Sequence, residues 1–153
     1  MDLVLVAVDT ADTAPVGPVG SGALPAAVGR RLATEDWAVA YHEREVRPGV
    51  LAGLDEVPTA VLDELGLEDV VQRHPGGNVL VLAAPATVAA WVAAVVDVAG
   101  DHLAPAAPGS LTRIRASRRG HRNLISYSDT LHLAEERATR PRKETGCQTS
   151  MSS

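Results

Sequence analysis

Two short runs of apolar residues set the terms for this chain: LVLVAV at 3–8 and NVLVLAA at 78–84. Neither alternates with polar residues, as a half-buried strand would. Each is too short to be a helix of ordinary length. Such runs fit strands buried on both faces, the kind found in parallel sheets covered by helices. The rest of the chain supplies the covers. A short helix is expected at about 25–35, with Pro25 suited to its first turn. WAVAY (37–41) reads as a second strand, 42–56 as irregular, and 58–73 as a helix weakly interrupted at Gly66. HPGG (74–77) is a turn, the second apolar run gives a strand at 78–83, and ATVAAWVAAVVDVAG gives a helix at 86–99. SLTRIRAS and HRNLISYS flank RRG and read as an antiparallel hairpin at 110–117 and 121–127. Strands alternating with helices imply an α/β fold. The expectation is a single three-layer domain over 1–134, with a mostly parallel sheet flanked by helices and a C-terminal antiparallel hairpin. Residues 135–153 are polar and expected to be a disordered tail.

The 153 residues suit one domain with a real core. With two Trp, two Tyr and no Phe, that core must be built from Val, Leu and Ala. Lys143 is the sole lysine against thirteen arginines, a bias that suggests a G+C-rich bacterial genome. Cys147 alone permits neither an intramolecular disulfide nor a cysteine metal cluster. The uncharged stretch Val79–Val96 is long enough to raise a membrane span, but Pro85 and its many alanines divide it into strand and helix. No basic region precedes the first apolar run, which argues against a signal peptide and for a cytoplasmic protein.

The net charge of −5 is uneven. Residues 1–112 hold 15 acids and 5 bases, whereas residues 113–153 hold 4 acids and 9 bases. No aromatic residues interleave with the basic end in the manner of a nucleic-acid platform, so no nucleic-acid partner is expected. The five histidines, His42, His74, His102, His121 and His132, form no metal motif, and no phosphate-cradling GxxxxGK occurs. DTADT (9–13) superficially matches the DxDxT of aspartate-nucleophile phosphatases, but Asp9 and Asp12 are three apart, where that motif needs two. His74 is expected to be a solvated turn residue. His132 is expected to fix its segment by hydrogen bonds. His42 is the best remaining candidate for a polar group at a pocket formed by strand ends.

The second half resembles the histidine phosphatase superfamily, the phosphoglycerate mutase-like proteins. HPGGNVLVLAAPATVAAWVAAVV followed by SLTRIRAS and HRNLISYSDTLHL is similar to that family's run of turn, strand, SHG motif, helix and closing hairpin. SYSDTLHL (126–133) matches its LNDTAHL-like phrase, and GRRLA (29–33) falls on its G-x-x-Q-A helix. The opening strand falls on LVRHGET. The resemblance covers about 3–35 and 58–134, and much of the family's middle is missing. It implies that the ends of the strands at 3–8 and 78–83 lie side by side. It also implies a mechanism in which a strand-end histidine attacks a phosphoryl group, an arginine neutralises it and a second histidine completes the pocket.

This chain departs at those positions. The arginine position is Ala7, the nucleophile position is Val8, and the second histidine position is Ala84. Valine has no lone pair, and alanine cannot grip phosphate oxygens as a guanidinium does. Asp9 brings negative charge to a pocket meant for an anion. The candidate pocket is therefore Ala7, Val8, Asp9, Thr10, His42, Arg44, Ala84 and His132, with Arg44 or Arg47 as substitute cations. No cofactor and no metal are expected. Three functions stay open: a non-catalytic binding, regulatory or scaffold protein, a repurposed small-molecule enzyme using new acid and base groups, or a residual phosphomonoester hydrolase or mutase. A decayed gene product is a further alternative. The partner is an unidentified protein or small molecule, no membrane is expected, and a homodimer is left open.

Overall fold

The structure is a computed structural model, and it describes residues 1–8, 26–46, 56–99 and 102–132. Six strands form one sheet. In chain order the elements are β1 (Asp2–Ala7), α1 (Ala26–Leu32), β2 (Val39–His42), β3 (Thr59–Val61), α2 (Leu67–Arg73), β4 (Asn78–Ala83), α3 (Pro85–Val96), β5 (Leu111–Ala116) and β6 (Arg122–Asp129). The sheet order is β3-β2-β4-β1-β5-β6. β3, β2, β4 and β1 run parallel, β5 is antiparallel to β1, and β6 is antiparallel to β5. This is the α/β architecture expected, mostly parallel with a closing hairpin. The polar tail expected at 135–153 lies outside the described residues.

The two apolar runs become the centre of the sheet. β1 and β4 pair in register from Asp2↔Asn78 to Ala7↔Ala83, and five of six residues in each are buried. Because side chains alternate across a strand, each run feeds two cores. Leu3, Leu5, Ala7, Val79, Val81 and Ala83 face α2 and α3, packing with Val70, Val71, Val88 and Val92. Val4, Val6, Val8, Leu80 and Leu82 face α1 and join Val28, Leu32 and Val46. A strand with a core on each side has no face left for polar residues. The helices and this sheet make the three layers.

One element differs from the sequence reading. Residues 58–73 do not form one helix: 59–61 are the edge strand β3, and only Leu67–Arg73 is helical. The β-branched Thr59 and Val61 favour an extended chain, and the β2 edge offers them partners. Asp63 turns the chain with φ of 45°, and Gly66 takes up the N-cap of α2. There its N–H donates to Asp69 Oδ2 at 2.9 Å. A glycine inside a helix costs about 1 kcal/mol, so the chain breaks where that residue is least costly. The uncharged stretch 79–96 divides at Ala84, as Pro85 dictates, and no described helix is long and apolar enough to cross a membrane.

Candidate functional site

The parallel strands β2, β4 and β1 end together, and chemistry in α/β proteins gathers at such ends. The backbone fixes their relation. Val8 N–H donates to the Ala83 carbonyl at 2.9 Å, and Glu43 N–H donates to the Leu82 carbonyl at 3.0 Å. Val8 and the Ala83–Ala84 peptide are therefore neighbours, as the resemblance implies. The loop before β5 closes the far side: Gly109 N–H donates to the Ala7 carbonyl at 2.8 Å, and Ala7 N–H to the Ser110 carbonyl at 3.2 Å.

The groups presented there are mostly apolar. Ala7 and Val8 are buried, Val8 within the apolar cluster on the α1 side. Ala84 is half-buried and serves as the N-cap of α3, with Pro85 at the first helical position. Alanine has no side-chain acceptor for the free N–H groups of a helix start. No acidic residue stands in the first turn either. The cap comes from another strand. The Glu43 carboxylate, one residue past β2, accepts the Ala84 N–H at 2.8 Å through Oε2 and the Thr87 hydroxyl through Oε1. Both oxygens are thus committed to the positive end of a twelve-residue helix. Glu43 and Thr87 were not among the candidates read from the sequence. The signal was a helix beginning Ala-Pro-Ala with no capper of its own, which asks for one from elsewhere.

The other candidates fall as follows. His42 ends β2, half-buried, and its Nδ1–H donates to the Glu43 carbonyl at 3.0 Å. Arg44 is exposed and bound to Asp63. It shares a cleft of about 840 Å³ with Glu43, Glu45, Asp63, Glu64, Asp69 and Arg73, five carboxylates to two guanidiniums. A phosphate there would meet net negative charge. His132 Nε2–H donates to the Gly109 carbonyl at 2.9 Å, so this ring pins the loop that closes over β1. Ser110 Oγ is buried without a hydrogen-bond partner. Asp9, Thr10 and Arg47 lie outside the described residues. His74 departs from its expected solvated place: it is half-buried, 2.7 Å from the Tyr41 hydroxyl through Nε2, with the two rings edge to face. The buried Tyr41 hydroxyl needs a partner, and the histidine that ends α2 supplies it. Among the described residues, no group of three potential ligands could hold a metal ion.

No protein-family model matches the sequence, and no curated protein matches it. Solved structures do. YhfR of Bacillus stearothermophilus superposes with a TM-score of 0.70 at 17% identity, over 86% of this chain and 98% of that one. A phosphoserine phosphatase from Entamoeba histolytica, solved with phosphoserine, gives 0.62 at 13% identity over 86% and 98%. The alpha-ribazole phosphatase of Shigella flexneri gives 0.57 at 12% identity over 84% and 96%. The chain has the fold of the histidine phosphatase superfamily.

Proposed function

We infer that this is a non-catalytic member of that fold, a binding, regulatory or scaffold protein that does not transfer phosphoryl groups. The observation that supports this best is Glu43. A helix start aimed at the end of a sheet is a ready anion site. In this chain its first free N–H is held by the protein's own carboxylate, between positions where the resemblance calls for histidines and Val8 and Ala84 stand instead. A phosphoryl group would have to displace that carboxylate and would find no nucleophile at Val8 and no guanidinium at Ala7. The acidic cleft beside Arg44 adds repulsion. The reading also assigns the protein to a bacterial cytoplasm, with a protein or small-molecule partner, no nucleic acid and no cofactor. The arginine-rich composition and the lack of interleaved aromatics in the basic end support those assignments.

The test is turnover. Purified protein is incubated with phosphoserine, 3-phosphoglycerate and para-nitrophenyl phosphate, and released phosphate is measured. Release at the level of buffer is expected. Release well above buffer that disappears in Asp9→Asn would overturn the reading, because it would show a working acid in a rebuilt pocket.

A further inference from the structure

The opposite end of the molecule carries a second cavity, of about 670 Å³, between the last turn of α2, the Pro75–Gly76 turn and the β5–β6 connection. Pocket volumes of this order hold small molecules. Its charged lining differs sharply from the rest of this acidic chain: Arg115, Arg118 and Arg122 face one carboxylate, Glu68.

The state of each group decides what the cavity can bind. Arg122 has four of its five N–H donors engaged. Its Nε and Nη2 donate to the two Glu68 oxygens at 2.9 and 2.7 Å, and its Nη1 donates to the Ser117 and His121 carbonyls at 3.0 Å each. That pair forms a wall and neutralises the only carboxylate. Arg115 is different. Among the described residues it meets Asp2 through Nε alone, at 3.0 Å, and neither Nη group makes a hydrogen bond. These are the paired donors that grip carboxylate and phosphate in the plane of the guanidinium. Arg118 is exposed and has no hydrogen bond or ion pair among the described residues. Ser117 Oγ accepts the His121 N–H at 3.2 Å and keeps its own proton to donate. Among the described residues the lining therefore offers two guanidiniums, one of them ion-paired with Asp2, and a hydroxyl as donors, and its one carboxylate, Glu68, is paired with Arg122. Val71, Pro75 and Ala116 provide apolar wall.

We propose that this cavity binds a small polyanion, a metabolite carrying at least two phosphate or carboxylate groups, held by Arg115 and Arg118. Two guanidiniums among the lining residues suit two anionic groups on one ligand. The site is independent of the strand-end pocket, so it stands or falls apart from the loss of phosphoryl chemistry.

Isothermal titration with pyrophosphate, tripolyphosphate and citrate at low salt tests it, in wild type, Arg118→Ala, Arg115→Ala and the double variant. Both side chains are largely exposed, so the variants should fold, and melting curves check this. Expected is saturable binding that each single variant weakens about tenfold or more and the double variant abolishes, with Leu131→Ala, outside the cavity, unchanged. A response to the phosphates alone or to citrate alone supports the site and identifies its anion. No binding of any probe up to about 10 mM overturns it, since even weak specific sites reach the millimolar range. Binding that survives the double variant overturns it.

Discussion

Removing the Glu43 carboxylate tests the structure at its most unusual joint. In Glu43→Ala the Ala84 N–H and the Thr87 hydroxyl lose their acceptor together. Loss of a helix cap costs about 1 kcal/mol. A negative charge at the positive end of a helix contributes about 0.5 kcal/mol more, and the Thr87 bond about 1 kcal/mol. Glu43 and Ala84 are only half-buried, so water replaces part of this, and about 2 kcal/mol is the reasoned net. For a chain of this length that lowers the melting temperature by roughly 4–8 °C. Glu43→Gln keeps an acceptor but loses the charge, so it should fall between the variant and wild type. The sharper assay is a double-mutant cycle with Thr87→Val, followed by chemical denaturation. If one carboxylate serves both groups, Thr87→Val should cost less once Glu43 is alanine, with a coupling of about 0.5–1.5 kcal/mol. A Glu43→Ala protein that melts with wild type, or a cycle with no coupling, would show that the α3 start does not depend on β2 and would remove the main support for the inactive reading.

An ion pair and the core give two further outcomes. The Arg115 hydrogen bond to Asp2 holds that carboxyl below its ordinary value of 3.8, helped by the charges of Arg115 and Arg113 and opposed by burial; a carboxyl depressed by folding stabilises above its unfolded value and loses that contribution as pH falls through the folded one, so Asp2→Asn should lower the melting temperature at neutral pH, and the gap should close below about pH 4. Leu80 is fully buried in the centre of the sheet, and Leu80→Ala should cost about 2–5 kcal/mol by urea denaturation, whereas Leu131→Ala, at a side chain 73% exposed, should stay within about 0.5 kcal/mol.

The parts of the fold that could be read from the sequence are those where one physical demand acts alone. β1 and β4 needed apolar residues on both faces, and their short branched-aliphatic runs supply them, so their burial in a covered sheet was plain. Pro85 made the strand-to-helix break legible in the same way. β3 was not legible, because the apolar positions from Val61 to Val71 also satisfy a helical period. Its strand character depends on the vacant edge of β2, which only the tertiary structure supplies. The pairing of Tyr41 with His74 spans 33 residues and has no local signature. The site was half legible. Ala7, Val8 and Ala84 could be placed by resemblance, and the strand register bears out their adjacency. Glu43 could not, since its role rests on a contact with a helix 41 residues further on.

On the proposed reading, the strand ends lie more than one substitution away from phosphoryl transfer. At Val8 the sheet is still core: the side chain is 4% exposed and belongs to the same apolar cluster as Val6, Val46 and Leu82. A histidine there would place an imidazole among aliphatic groups, and a buried polar group without a partner costs about 1–3 kcal/mol. A nucleophilic imidazole also needs a partner that orients it and a cation that steadies the anion it attacks. Ala7, fully buried on the other face, supplies no cation. Across the sheet, the Glu43 carboxylate spends both its oxygens holding the α3 start. Removing it to admit a phosphate would weaken the helix that the phosphate must lean on. On that reading the apolar strand ends and the borrowed cap reinforce each other: the first lacks the groups the resemblance calls for, and the second gives the anion position a structural task that a transient ligand could not perform.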